Sequence, residues 1–228
     1  MLNSQHLYAD ALHTALTNVH SWLDLGCGHQ FLPEWMSADR AAAISLSAAR
    51  RCTVGVDIDR EALRQHPSLR LRIVGDVERL PVVAASFELV TANMVVEHVA
   101  DPDRFFHEVS RVLKPGGAFL LHTPNAHGYT TRLTRCIPSA WRPRVANLLQ
   151  GRQERDVYRT YYRANTLDVL QSVAARAGLK VKELKTVPSS AQLYRVPVLR
   201  AVEERVLRLL SQESWQRWQP CIIGCFER

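Results

Sequence analysis

Short apolar runs recur along the first 125 residues, and amphipathic stretches separate them. Five of these runs are rich in branched or aromatic residues and end at glycine or a polar side chain, which is typical of buried strands. They are VHSWLDLG, CTVGVDID, LRIVGD, FELVTANM and GAFLLHTPN. The stretches between them carry apolar residues at helical spacing. Strand and helix therefore alternate, which predicts an α/β fold with a parallel sheet and helices on both faces.

Helical patterns cover residues 3–18, residues 33–50, a short stretch from about Asp59, and the segment DPDRFFHEVSRVLKPGG. The first of these helices is predicted to bury one apolar face, made of Leu7, Ala11, Leu12, Ala15 and Leu16. In the last one, Asp101 suits the N-cap and Pro102 the first helical position. The following Lys-Pro-Gly-Gly is a stop signal, so this helix is expected to end there.

The alternation stops after residue 126. Residues 127–163 are rich in arginine, tyrosine and proline, which predicts an insertion or lid. The rest of the chain follows the pattern helix, strand, helix, strand, in TLDVLQSVAARAGL, KVKELKTV, VPVLRAVEERVLRLL and CIIGCFER. A length of 228 residues suits one domain. We therefore expect residues 1–228 to form a single domain that finishes its sheet with this C-terminal part.

Polar residues stand at the carboxyl ends of the predicted strands. In open sheets of this kind, ligands bind outside those ends. The residues that the pattern places there are Asp24 to Gly28, Asp57, Asp76, Asn93, and His122 to Asn125. We expect them to line one site.

The first strand runs into a loop with two close glycines, Gly26 and Gly28. A dinucleotide-binding loop would have a small residue at the third position of its fingerprint, but Phe31 stands there. Asp24 precedes the loop and would repel a pyrophosphate. The loop is therefore expected to approach a ligand that is positively charged near this point.

Four segments in order carry a resemblance to a known family. LDLGCG, VGVDID, GDVERLPVVAASFELV and HEVSRVLKPGGAFLL resemble the successive motifs of the class I S-adenosylmethionine-dependent methyltransferases, in particular the small-molecule group of the ubiquinone and menaquinone enzymes. This resemblance covers about Val19 to Asn125. The later segment YRTYYRANTLDVLQSVAARAGL is similar to parts of methyltransferases that act on sugars or glycan intermediates. The resemblance implies a Rossmann-like, seven-stranded, mostly parallel sheet whose last strand is antiparallel.

The resemblance also implies S-adenosylmethionine as the cofactor and gives roles to the first loop. Gly26, Cys27 and Gly28 would pass under the methionine part of this cofactor. Cys27 would be there as a small residue and not as a nucleophile. Asp24 would help to fix the methionyl amine, directly or through water.

The nucleoside part of the cofactor would lie at the next two strand ends. Asp57 would accept hydrogen bonds from both ribose hydroxyls, which suits a carboxylate with two acceptor oxygens. Ile58 would pack on the adenine face. Asp76, with Val77 beside it, would accept from the adenine amino group.

The methyl acceptor would approach beyond the fourth strand. The resemblance places Asn93 and Met94 near the reacting methyl. An oxygen acceptor of high pKa needs a base, and His98 is the candidate for that role. Tyr161 and Tyr162 are the strongest candidates in the insertion for contacting the substrate. Relatives that hold a divalent metal have an acid where this chain has Met94, so no metal is assigned.

The net charge is +7, and much of the positive charge comes from arginines between positions 132 and 163 and between positions 195 and 208. Arginine forks match carboxylates and phosphates, so a small-molecule or sugar-type acceptor with an anionic group would suit the insertion; a solvated helical face is the alternative. No nucleic-acid-binding motif is present, so no nucleic acid is expected. The amphipathic, basic stretch LYRVPVLRAVEERVLRLL suits peripheral membrane contact or, alternatively, packing on the domain.

Five cysteines at scattered spacings fit a reducing compartment, and the N-terminus has no signal-peptide pattern, so a cytoplasmic location is expected. We expect a methyltransferase that acts at oxygen on a small molecule or glycan intermediate. Two alternatives stay open: N- or C-methylation of a quinone-type precursor, and a catalytically inactive cofactor-binding partner module. An inactive relative would be expected to lose some of the cofactor acids, whereas Asp24, Asp57 and Asp76 are all present.

Overall fold

A computed structural model describes residues 3–135, 159–189, 197–210 and 212–228. Within these ranges seven strands form one sheet. The strands are β1 (Ser21–Leu25), β2 (Cys52–Asp57), β3 (Leu71–Val74), β4 (Phe87–Asn93), β5 (Leu113–Pro124), β6 (Lys180–Val187) and β7 (Cys221–Glu227). Their order is β3-β2-β1-β4-β5-β7-β6, with β1 to β5 parallel and β7 antiparallel to both of its neighbours. The predicted Rossmann-like sheet with an antiparallel last strand is confirmed.

Seven α-helices connect the strands in the described ranges. They are α1 (Ser4–Ala15), α2 (Ala38–Ala49), α3 (Arg60–Gln65), α4 (Pro102–Val112), α5 (Tyr129–Arg135), α6 (Leu167–Arg176) and α7 (Pro197–Leu210). Short 3-10 turns cover Val96–His98 and Glu213–Trp218. Asp101 caps α4 as predicted, because its side chain accepts from the Arg104 N–H. The helix ends before the predicted stop signal, since Leu113 already pairs with Phe87 of β4.

Helices cover both faces of the sheet, as the alternating pattern predicts. On one face, α4 and α6 pack Phe105, Phe106, Val109 and Leu170 into a single buried cluster with the strands. On the other face, α1, α2 and α3 contribute a second cluster that includes Leu12, Ile44 and Leu63. The central strands are therefore mostly buried on both faces, whereas the outer strands β3 and β6 are largely exposed.

The buried face of α1 differs from the predicted one. Residues Ser4, Gln5, Tyr8, Ala9 and Leu12 are buried, whereas Leu7, Ala11 and Ala15 are half-buried. The helix is rotated because two of its polar side chains find partners at the strand ends, which a count of apolar positions does not detect.

The predicted insertion begins with α5, and its residues 136–158 lie outside the described part of the chain. Of the predicted amphipathic stretch, residues 193–196 also lie outside it. The helix α7 packs on the domain through Leu207 and Leu210, and Tyr129 of α5 donates a hydrogen bond to Glu203 of α7 at 2.7 Å. None of the helices in the described ranges has the length and apolarity required to cross a membrane.

Candidate active site

Asp24 lies near the end of β1, buried below the loop that follows the strand. Trp22 Nε1 donates to Thr91 Oγ1 at 2.7 Å, and Thr91 Oγ1 donates to Asp24 Oδ1 at 2.5 Å. Thr91 is the residue opposite Asp24 on β4, so the pairing of the two strands fixes this contact. Burial raises the pKa of Asp24 to about 7; the Thr91 hydrogen bond opposes this rise and the nearby charge of Asp57 adds to it.

The raised pKa of Asp24 predicts a specific dependence of stability on pH. The folded-state pKa of about 7 lies above the ordinary aspartate value of 3.8, so between about pH 4 and about pH 7 the folded protein binds more protons than the unfolded chain. The free energy of unfolding should therefore fall as pH rises from about 4 to about 7, and this contribution should then level off. We expect Asp24→Asn to be more stable than wild type by about 4 kcal/mol at pH 8 and by only about 1 kcal/mol at pH 4.5.

Urea unfolding of both proteins at the two pH values measures this difference, and the comparison cancels the titration of all other groups. Parallel stability curves for wild type and Asp24→Asn would show that Asp24 is already ionised at low pH in the folded protein.

The two loop glycines are required for different reasons. Gly26 has a φ of +59°, its N–H donates to the Val56 carbonyl at 2.7 Å, and a Cβ on it would come within 2.5 Å of Val95 Cγ2. Gly28 has a φ of +55°, but a Cβ there would meet nothing within 4 Å. Gly26 is therefore needed for packing inside the protein, while the space in the Cβ direction of Gly28 is open. Between them, Cys27 is buried, and burial raises the pKa of its thiol, so it stays protonated.

Asp57 is the last residue of β2 and holds the glycine loop. Its Oδ2 accepts from the Gly28 N–H and its Oδ1 from the Asp59 N–H, both at 2.8 Å. An ionised carboxylate has about four acceptor positions, so both oxygens keep capacity for further donors. The next side chain, Ile58, is 71% exposed. A carboxylate with spare capacity therefore lies beside an exposed apolar side chain.

Asp76 follows Asp57 and Ile58 along the edge of the sheet. The N–H of Gly75 donates to the Asp57 carbonyl at 3.0 Å, so Asp76 follows directly after a residue bound to β2. Asp76 is exposed and its Oδ1 accepts from the Glu78 N–H at 2.8 Å. Val77 is half-buried and packs against the core.

Asn93 ends β4 and is held from two sides. Its Oδ1 is 2.9 Å from His122 Nδ1 and accepts from Gln5 Nε2 at 3.3 Å, while its Nδ2 donates to Gln5 Oε1 at 3.1 Å. Met94 has a φ of +58°, and its N–H donates to the His122 carbonyl at 2.7 Å. A left-handed conformation is unusual for a residue with a side chain and is concentrated at functional sites.

The helix α1 covers the ends of the central strands, which the sequence pattern did not reveal. Besides the pairing of Gln5 with Asn93, the Tyr8 ring stacks on His122 with centroids 5.6 Å apart. Burial raises the pKa of Tyr8, the Asp24 charge adds to the rise, and a hydrogen bond with Thr91 opposes it. Tyr8 therefore reaches the Asp24 network. Glutamine and tyrosine within an otherwise apolar helix face are the signal that could have predicted this contact.

His122 supports Asn93 and carries no charge at neutral pH, because burial lowers its pKa to about 3. Asn93 Oδ1 can only accept, so His122 Nδ1 carries the proton in this contact. His127, in contrast, is exposed in the loop after β5. Neither His122 nor His127 lies in the turn after β4, where His98 lies.

His98 lies in the 3-10 turn that follows β4, and its ring is half-buried. Its Nδ1 is 2.9 Å from the Arg159 carbonyl oxygen, and its Nε2 is 4.0 Å from Glu97 Oε1. Because a carbonyl only accepts, Nδ1 carries the proton, and Nε2 is the nitrogen that can take one up. Glu97 is buried, and its Oε2 accepts from Thr123 Oγ1 at 3.0 Å.

The backbone N–H groups of Tyr161 and Tyr162 bind the same turn. The carbonyl of Glu97 accepts from the N–H of Tyr161 at 2.7 Å and from that of Tyr162 at 3.2 Å. Tyr162 has a φ of +53°, a second left-handed residue at this end of the sheet. Asn165 Nδ2 completes the attachment by donating to Thr123 Oγ1 at 2.6 Å. The end of the insertion is therefore fixed beside His98.

Residues 23–121 match a family model described as a methyltransferase domain. The chain is 39% identical over 107 residues to a protein of Mycolicibacterium smegmatis described as a probable S-adenosylmethionine-dependent methyltransferase, covering 45% of this chain and 37% of that protein. It is 27% identical over 167 residues to a ubiquinone biosynthesis O-methyltransferase of Parvibaculum lavamentivorans, covering 72% and 60% of the two chains. The chain thus spans only about a third of the length of the first relative and less than two thirds of the second.

A solved structure of an S-adenosylmethionine-dependent methyltransferase from Mesorhizobium loti superposes with a TM-score of 0.59. The alignment covers 99% of this chain and 98% of that one at 16% sequence identity. At this identity the likeness concerns the fold alone, and it extends over the strands that follow residue 121 as well.

Proposed function

We propose that the chain carries a class I S-adenosylmethionine-dependent methyltransferase domain, to which residues 23–121 are similar, and that it transfers the methyl group of S-adenosylmethionine to an oxygen atom of a small molecule or glycan intermediate. The observation that carries the proposal is the set of Asp24, Gly28 and Asp57 at adjoining strand ends, with His98 beyond them. The relative from ubiquinone biosynthesis, an O-methyltransferase by its name, supports oxygen as the acceptor atom.

The residues at the strand ends fit this cofactor. Asp57 has acceptor capacity for two ribose hydroxyls, and the exposed Ile58 offers an apolar surface to the adenine. Gly28 leaves room for a close approach along its backbone. Asp24 supplies a negative charge below the loop when it is ionised, which suits the methionyl ammonium. The bound cofactor supplies a methyl group that its sulfonium has already activated.

The different demands on the two glycines give a matched pair of variants. Gly26→Ala combines a left-handed φ with a clash against Val95, so we expect it to lower the free energy of unfolding by about 3 kcal/mol. Gly28→Ala meets no atom and should cost only about 1 kcal/mol in stability. Its methyl group would instead occupy the approach to the loop, so cofactor affinity should fall at least about tenfold.

Urea unfolding and calorimetric titration with S-adenosylmethionine separate the two effects. The assignment of the Gly28 backbone to cofactor contact is wrong if Gly28→Ala binds the cofactor as tightly as wild type does.

His98 is the candidate base for an oxygen acceptor. The Arg159 carbonyl holds the proton on Nδ1, so Nε2 receives the proton that the acceptor hydroxyl loses. Glu97 Oε1, 4.0 Å from Nε2, would stabilise the positive imidazolium that results. Asn93 and Met94, between the cofactor residues and His98, would border the methyl group. Orientation of the acceptor would account for most of the remaining rate.

There are two alternatives to O-methylation. The first is N- or C-methylation of a quinone-type precursor; the name of the ubiquinone biosynthesis relative supports the quinone-type precursor but not these acceptor atoms. The other alternative is a partner module that binds the cofactor without turnover. Calorimetry with S-adenosylmethionine tests the shared premise, and absence of binding at millimolar cofactor would overturn it. Transfer of labelled methyl to a panel of phenols and hydroxy acids then separates an enzyme from a binding module.

The four described cysteines are all free thiols, which supports a cytoplasmic, reducing location. The arginine-rich segment before Tyr161 supports a small-molecule or sugar-type acceptor with an anionic group.

A further inference from the structure

Residues 159–163 form a short segment that is fixed onto the turn carrying His98. The Arg159 carbonyl is bound by His98 Nδ1, and the Tyr161 N–H donates to the Glu97 carbonyl. The guanidinium of Arg163 donates from Nη1 to the Ala100 carbonyl. The segment is therefore held in place through two backbone groups and one side chain, at the acceptor end of the site.

Two guanidinium groups lie close to one aromatic ring in this segment. The Cζ atoms of Arg159 and Arg163 lie 4.9 Å and 5.4 Å from the centroid of the Tyr161 ring. Both arginines are exposed, and neither forms an ion pair with a carboxylate of the described residues. We call Arg159 and Arg163 the arginine pair.

Three acids on or beside the turn and loop that this segment contacts have other hydrogen-bond partners. Glu78 Oε1 accepts from the N–H groups of Ala100 and Asp101, and Asp101 Oδ1 accepts from the Arg104 N–H. Glu97 is buried and bound by Thr123. Two like charges thus lie beside one ring without a carboxylate partner among the described residues, and a bound anion would stabilise them.

We propose that the arginine pair binds an oxyanion, a carboxylate or a phosphate, of the methyl acceptor. Arginine forks bind such groups through two parallel hydrogen bonds, and the Tyr161 ring orients both guanidinium groups before the ligand arrives. This proposal rests on the proposed function, because it places the anion on the acceptor and not on the cofactor. It defines the substrate class as a hydroxyl compound with an anionic group.

The connection to His98 sets the relation between the anion and the reacting hydroxyl. The carbonyl of Arg159 accepts a hydrogen bond from His98 Nδ1, and the guanidinium of the same residue is one half of the arginine pair. An acceptor held by its anionic group is therefore anchored on the same residue that orients the candidate base. This coupling supplies the positioning that methyl transfer requires.

Titration with inorganic phosphate and, separately, with acetate tests the proposal on the intact chain. The NMR signals of the arginine Nε–H groups are followed at constant ionic strength with chloride as the balancing anion. We expect saturable shifts with at least one of the two anions. The double variant Arg159→Gln/Arg163→Gln should bind that anion at least about tenfold more weakly, and the corresponding double lysine variant should recover part of the affinity.

Arg50→Gln is the matched control, because Arg50 is an exposed arginine at the end of α2, before the start of β2. Saturation with phosphate alone identifies a phosphorylated acceptor, and saturation with acetate identifies a carboxylated one. Absence of saturation with both anions, equal weakening in Arg50→Gln, or unchanged affinity in the double variant each overturns the proposal.

Calorimetry with S-adenosylmethionine on the same proteins keeps the two proposals apart. We expect the double variant to bind this cofactor as wild type does. If the protein binds the cofactor but neither anion, only the proposal for the arginine pair is overturned. Failure of the wild type to bind the cofactor overturns the proposed function, and the acceptor assignment of the anion site falls with it.

Discussion

Replacement of Asp57 by alanine is expected to weaken S-adenosylmethionine binding by a factor of about 100 or more. The carboxylate is placed to accept two hydrogen bonds from ribose hydroxyls, and hydrogen bonds to charged groups contribute about 1.5–3 kcal/mol each. Its removal also takes away the acceptor that holds the Gly28 N–H. A loss of about 3 kcal/mol corresponds to this factor in the dissociation constant.

Calorimetric titration measures this change, and two further variants sharpen it. Asp57→Asn keeps one acceptor oxygen and should lose only about tenfold in affinity. Asp168→Ala removes an exposed acid from the first turn of α6 and should leave the affinity unchanged. If Asp57→Ala binds the cofactor within a factor of about three of wild type, the ribose assignment is wrong.

The position of Asp57 could be predicted because it follows from local pattern and one topological rule. A β-branched run that ends in an acid predicts a strand end, and parallel strands bring their carboxyl ends to the same edge. The same reasoning correctly places Asp24 and Asn93 at that edge. What each side chain binds there follows from strand pairing, as the contact of Asp24 with Thr91 illustrates.

The roles of Gln5 and Tyr8 could not be predicted in this way. The pairing of Gln5 with Asn93 joins residues that are 88 positions apart. Apolar periodicity assigns α1 a buried face made of its leucines and alanines, whereas hydrogen bonding and ring stacking rotate the helix toward the strand ends. The information that decides this rotation lies on other elements, so a local pattern does not contain it.

For the insertion, too, the contacts of individual residues depend on other elements of the fold. Residue type alone predicts that Tyr161 and Tyr162 contact the substrate. In the fold, their N–H groups bind the Glu97 carbonyl, and the Tyr161 ring lies against two arginines. A role in contacting the substrate stays a prediction for both. The larger part of the insertion, residues 136–158, lies outside the described residues.

Replacement of His98 by asparagine is expected to lower kcat by a factor of about 100 to 10,000, the range that general-base catalysis contributes. The asparagine amide can still donate to the Arg159 carbonyl, as Nδ1 of the imidazole does, but it offers no basic nitrogen in place of Nε2. The variant therefore separates proton transfer from the attachment of residues 159–163. Methyl transfer from labelled S-adenosylmethionine is measured with the best acceptor of a panel of hydroxy acids and phenols.

Cofactor affinity should be unchanged in His98→Asn, because His98 lies on the acceptor side of the site. His98→Ala removes both functions of the ring, so it should lose kcat to the same extent and also raise the KM for the acceptor. If His98→Asn retains kcat within a few-fold of wild type while His98→Ala loses it, the ring serves only to fix the Arg159 segment. Methyl transfer would then proceed to an acceptor that needs no base, such as one that is already ionised.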